Sequence, residues 1–215
     1  MPHLRPAQPV VTAVALVLYV VALVVLFGVR SWVQHRRTGS AGFHGISGTP
    51  ARAGWWGGVM FVVALVLGVA GPLLAVLGVV DARPPVAVQV LGLVLASAGF
   101  AATLAGQSGM GDAWRVGVDP AERTELVTGG VFAQVRNPVF AAMVTAQTGV
   151  VLMVPSPVSV AALVAAVELQ VRAVEEPYLR AVHGGVYTDY AARTGRFMPG
   201  IGRLARTSPT QGVPA

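Results

Sequence analysis

From Val10 to Val29 the chain runs for twenty residues in which only Thr12, Tyr19 and Gly28 interrupt an apolar series. As a helix rising about 1.5 Å per residue, such a run covers about 30 Å, the thickness of a bilayer's hydrocarbon core. Hydrocarbon offers no hydrogen bonds, so the segment must satisfy its own backbone, and a membrane-crossing helix is predicted. No small-residue cleavage motif leading into a soluble domain follows, so the run reads as a retained helix rather than a signal peptide. Similar runs follow at Gly57–Val80, where Gly71-Pro72 predicts a kink, and at Val86–Gly106. Two shorter runs, Pro138–Val154 and Val158–Val171, flank Pro155-Ser156-Pro157 and predict a tilted helical hairpin.

The expected fold class is therefore all-α: an integral membrane protein with five transmembrane helices, a C-terminal helical hairpin and cytoplasmic amphipathic helices. The expected organisation is a three-span region (1–106), a core built from a loop, the hairpin and the cytoplasmic helices (107–203), and a flexible tail (204–215). Charged residues make up 11% of the chain, against about 25% in soluble domains. All fifteen basic residues are arginines, and the net charge is +6. They border apolar runs, so they read as topology signals and lipid-headgroup contacts rather than a nucleic-acid surface. Alternating the spans puts Arg5 and Arg83 on one side and the other thirteen on the opposite side. The positive-inside rule then places the N-terminus outside and the C-terminus, with the polar segments, in the cytoplasm.

Several chemistries are excluded at once. The absence of cysteine removes disulfides, thiolate metal sites and a cysteine nucleophile. His3, His35, His44 and His183 have no metal-ligand spacing, so no metal is expected. No βαβ unit can be read, and no serine or threonine has a base and orienter in a hydrolase arrangement. The segment Arg30–Gly54 reads as a flexible basic loop with glycines at 39, 42, 45 and 48, and Trp55-Trp56 marks an interface. Gly92, Ala96, Ala98, Ala101, Ala102 and Ala105 predict a small-residue packing face, and Gly54 and Gly58 a weak dimer signal.

The polar residues gather in two late segments. Gly129–Phe140 contains Gly130, Phe132, Arg136, Asn137, Pro138 and Phe140. Residues 172–199 contain Arg172, Glu175, Glu176, His183, Gly184, Tyr187, Tyr190, Arg193 and Arg196, with a break expected at Gly184-Gly185 and a new helix from about Val186. From the residues alone, Asn137-Pro138 is an N-cap with a first-turn proline, and Tyr187 and Tyr190 share a helical face. Glu175 and Glu176 diverge by about 100° on a helix, so one of them, Glu176, is expected to be the buried member.

The ordered pattern G-x-F-x-x-x-R-N-P-x-F from Gly130, E-E-x-x-L-x-x-x-H-G-x-x-Y-x-x-Y from Glu175, and G-R-F-x-P from Gly195 resembles the isoprenylcysteine carboxyl methyltransferase family of membrane enzymes, prokaryotic type. It covers about residues 126–202. The family more often has His at the position of Asn137 and Tyr at that of Phe140, which weighs against the eukaryotic-type prenylcysteine substrate. The resemblance implies S-adenosylmethionine as cofactor, a lipophilic small-molecule acceptor reached from the bilayer, and a bacterial plasma membrane. It implies catalytic roles for Arg136, Glu176 and Arg172. Cofactor contacts are implied for Gly130, Phe132, Arg136, Asn137, Pro138, Phe140, Glu175, His183, Gly184, Tyr187, Tyr190 and Arg196. Membrane lipids are the other expected partners. An NADPH-dependent membrane reductase of the sterol-reductase type, or a non-catalytic scaffold, are the alternatives.

Overall fold

The structure, a computed structural model, describes residues 7–43, 45–46, 48–80, 84–117 and 125–205. The turn residues Asp81 and Arg83, the loop residues Asp119, Glu122 and Arg123, the residues Arg5, His3 and His44, and the tail from Arg206 onward lie outside them. The described chain is helical, with no strand beyond isolated bridges. Helix α1 (Ala7–Leu23) passes through a π-helical turn (Val24–Val29) into α2 (Arg30–Thr38). Then follow α3 (Ala53–Val76), α4 (Val86–Gly109), α5 (Pro138–Met153) and α6 (Pro157–Gln170). A second π-helical turn (Val171–Glu175) joins α6 to α7 (Glu176–Arg193).

Four helical stretches are long and apolar enough to cross a membrane: Val10–Thr38, Ala53–Val76, Val86–Gly109 and Pro157–Arg193. Their outward residues include Val62, Val66, Val90 and Val94, all half exposed or more. Apolar surface on that scale requires lipid against it. Helix α5 has 16 residues, about 24 Å by helical rise, which falls short of the hydrocarbon core. A fifth full span is therefore not evident.

The expected loop at residues 30–38 is a helix instead. No glycine or proline occurs between Val29 and Thr38, and Arg30 and Gln34, four residues apart, share a face with polar partners. Arg30 donates to the carbonyls of Gln107 (3.3 Å) and Gly111 (2.8 Å), and Gln34 donates to that of Asp112 (2.7 Å). The Arg30 guanidinium also lies 4.8 Å from the Trp114 ring centre. A cation thereby sits at the C-terminal carbonyls of α4, where the helix dipole favours it. What sequence reading takes for a topology signal is a buried clamp between α2 and the end of α4.

The small-residue face of α4 also differs from expectation. Gly92, Ala96, Gly99, Thr103 and Gly106, spaced alternately by four and three, are buried, whereas Ala98, Ala101, Ala102 and Ala105 are exposed. This stripe packs on α5 so closely that a Cβ at Gly99 would lie 2.5 Å from the Ala146 backbone nitrogen, and one at Gly149 would collide with Ala96. Of the two glycines read as a weak dimer signal, Gly54 packs against Val174 and Gly58 against Ile46, while Gly57 lies against Gln170. Tyr19 of α1 ties three helices, lying against Gly68 of α3 and 5.9 Å from the Phe100 ring of α4. The pairs α4–α5 and α3–α6, with α1 against them, bring the end of α4, the start of α5 and the α6–α7 junction together at one end of the bundle.

Candidate active site

Residues Val135–Asn137 enter α5 beside the strand-like segment 195–196. The backbone N–H of Arg136 donates to Gly195 (2.8 Å) and that of Asn137 to Arg196 (3.0 Å). The Asn137 amide donates to the same Arg196 carbonyl (3.1 Å), so this N-cap side chain ties two segments instead of capping α5. Pro138 occupies the first helical turn, where its missing N–H is no loss.

That pairing holds Arg136 inside the protein. Its Nη1 donates to the carbonyls of Ala191 (2.9 Å) and Thr194 (2.6 Å), and its Nη2 to Glu176 Oε1 (2.7 Å) and the Gly202 carbonyl (3.1 Å). Arg196 meets the same carboxylate with two bonds, Nε to Oε1 at 2.8 Å and Nη2 to Oε2 at 3.0 Å. Glu176, only 5% exposed, is the buried member of the acidic pair. Its two oxygens accept three hydrogen bonds from two guanidinium groups, the charge-assisted kind with the greatest strength. The carboxylate in turn holds the Arg196 guanidinium above its usual range, so that residue stays cationic.

Above this knot the chain breaks at Gly184, whose φ of 52° and ψ of −124° no other residue adopts readily. The change of direction seats Tyr187 and Tyr190 inside, 6.3 Å apart ring to ring. Tyr190 donates its hydroxyl to the Phe132 carbonyl at 2.6 Å, fixing the short 3₁₀ turn Gly130–Ala133. The break expected from Gly184-Gly185, and the shared tyrosine face, are both present.

These elements surround a cavity of about 500 Å³. Phe132, Arg136, Asn137, Pro138, Phe140, Glu175, Glu176, Tyr187 and Tyr190 line it. Gly130, Gly184, His183 and Arg196 lie outside the lining. Arg172 lies outside as well: its side chain is 60% exposed and pairs with Glu168 one turn earlier. Glu175 forms no hydrogen bond or ion pair among the described residues and sits in the lining within the field of Arg115. Leu23 of α1, Phe27 of the π-helical turn, and Phe61, Val62 and Leu65 of α3 add an apolar wall, and ring contacts run from Phe27 to Phe61 (6.3 Å) and on to Phe140 (6.4 Å).

Sequence reasoning missed Gln107, Trp114, Arg115, Tyr178 and Phe43 as lining residues. Phe43 comes from the segment assigned to a loop, and reaches the cavity because the Val116 N–H donates to the Gly42 carbonyl (2.6 Å). Among the described residues no group of three or more histidines or acids comes together that could hold a metal.

Comparison with known proteins bears directly on this site. Residues 87–185, from the start of α4 to just past the Gly184 break, match the family model described as phospholipid methyltransferase. No curated protein and no solved structure matches the chain significantly. The matched segment holds the cavity's α4, α5 and Glu175-Glu176 walls, and it favours the methyltransferase reading over the reductase and the scaffold. That segment, a little under half of the chain, is similar to the phospholipid methyltransferase family, and the match agrees with the resemblance to the isoprenylcysteine carboxyl type of membrane methyltransferase.

Proposed function

We propose that the protein transfers a methyl group from S-adenosylmethionine to a lipophilic or amphipathic acceptor that enters from the bilayer. The observation that carries this reading is the two-sided cavity. One side presents Glu175, Arg136 and the aromatic walls Phe132 and Tyr187; the other presents the apolar side chains of α1 and α3. The residues present fit the cofactor. Glu175 suits its ammonium group, Arg136, whose Nε is buried without a partner, suits its carboxylate, and the rings suit its flat adenine. When bound, it would supply a sulfonium methyl open to in-line attack.

The chain's own contribution is then positioning and exclusion of water, the main levers for such a displacement. Held by Glu175 and Arg136, the cofactor would give its methyl group to an acceptor lone pair, the sulfur keeping the electrons of the broken bond. The half-exposed Val62, which belongs to both the cavity wall and the outer face of α3, supports lateral entry from lipid. The arginines of α2, with Arg52 and Arg115 at the cavity end, support a cytoplasmic placement of the site.

Calorimetric titration of the detergent-purified protein with S-adenosylhomocysteine, in parallel with NADPH, tests the cofactor. Micromolar binding of the former is expected. Glu175→Gln, which removes the charge but no ion pair among the described residues, should weaken it about tenfold, the value of one charge-assisted hydrogen bond. Heat from NADPH with none from S-adenosylhomocysteine would overturn the reading.

A further inference from the structure

Gln107 stands two residues before the end of α4, 2% exposed, in the cavity lining beside Met110 and Trp114. Its backbone carbonyl is taken by Arg30. Its side-chain Oε1 is buried and has no hydrogen-bond partner among the described residues. Buried polar atoms in folded proteins are nearly always paired, so an orphan acceptor on a cavity wall points to a partner supplied from the cavity. The adjoining wall is apolar: Phe27 lies one turn before Arg30 on the same helix, and Leu23 and Phe61 continue it.

We propose that Gln107 reads the polar end of the methyl acceptor, its Oε1 accepting a hydrogen bond from an N–H or O–H of an amphiphile whose apolar part lies along Phe27 and Phe61. The inference rests on the methyltransferase reading and extends it to substrate selection. The chemistry gives this contact a direction. Each methyl placed on a nitrogen replaces one N–H, so a residue that reads donors holds the less methylated headgroup more tightly than the fully methylated one. Gln107 thereby favours substrate over end product, and its loss should blur that distinction without touching the cofactor.

The test uses the full chain in detergent and two probes: short-chain diacyl phosphatidylethanolamine, whose headgroup carries N–H donors, and phosphatidylcholine of the same chain length, which has none. The wild type should bind the first about tenfold more tightly, the worth of one hydrogen bond to a charged group. Gln107→Leu should abolish the preference and leave S-adenosylhomocysteine affinity unchanged. Gln107→Met, closer in shape, gives the same readout should the leucine variant fail to fold, and Gln107→Glu, which retains acceptor oxygens, should keep the preference. A wild type without preference, or a preference that survives in both apolar variants, would overturn the proposal and assign Oε1 to an internal partner such as a buried water. Failure of S-adenosylhomocysteine to bind the wild type would instead strike the cofactor reading, while the headgroup comparison is scored on its own.

Discussion

Glu175 and Glu176 leave one helix about 100° apart, and their surroundings differ accordingly. Glu176 accepts from Arg196 and from Arg136, and the remaining bonds of Arg136 reach the carbonyls of residues 191, 194 and 202. That side of the helix is a closed knot holding the C-terminal segment to the start of α5. Glu175 faces the cavity with its oxygens uncommitted among the described residues. Acids that stand together in a motif therefore divide their work. The saturated one builds the wall, and the unsaturated one remains available to whatever the wall encloses. Gln107 and Arg30 repeat the division across α4 and α2, with Arg30 clamping backbone while the amide oxygen of Gln107 stays open.

The largest effect should come from breaking the knot. Glu176→Ala leaves Arg136 buried with its charge unpaired, and removing one partner of a buried ion pair costs about 3–5 kcal/mol. The melting temperature in detergent should fall steeply, and cofactor binding should go with it because the fold itself has failed. Glu175→Gln should weaken binding about tenfold at an unchanged melting temperature. Were the two variants to melt alike, the division between them would be gone. Tyr190→Phe comes next: it strips the partner from the buried Phe132 carbonyl and should cost about 1–3 kcal/mol. Its destabilisation, measured by denaturant or thermal melts, should exceed that of Glu175→Gln.

The sequence made the bundle readable because lipid imposes a strict rule. A run of twenty apolar residues has one stable backbone arrangement in hydrocarbon, so α1, α3 and α4 could be placed within a few residues. The Gly184 break and the burial of Glu176 were also legible, the first because two glycines interrupt a polar helix and the second because adjacent helical residues diverge. The α2 extension was not. Its helical character depends on carbonyls 77 residues away that give Arg30 a destination, and composition counts that arginine as a surface charge. The packing stripe of α4 failed for a similar reason. Alanines are frequent along the whole helix, and only the facing Ala146 and Gly149 of α5 select Gly92, Ala96 and Gly99 over Ala98 and Ala101. The lining residue Gln107 carried no motif, since its significance is an unmade hydrogen bond rather than a residue pattern.

The smallest effect sharpens the comparison most. Arg172 shares the motif region with both glutamates, and the family resemblance implies a catalytic role for it, yet its side chain is exposed and paired with Glu168 on the outer face of the α6–α7 junction. Exposed i,i+4 pairs contribute well under 1 kcal/mol, so Arg172→Ala should change the melting temperature little. S-adenosylhomocysteine affinity should also stay within twofold of wild type, about 0.4 kcal/mol, because the residue lies outside the cavity wall. Methyl transfer to acceptor-containing vesicles then decides what remains. Unchanged turnover would make Arg172 a surface residue like the other exposed arginines. A loss of turnover at constant cofactor affinity would mean that Arg172 meets the acceptor before it reaches the cavity, at the membrane surface, where an exposed guanidinium can hold an anionic headgroup.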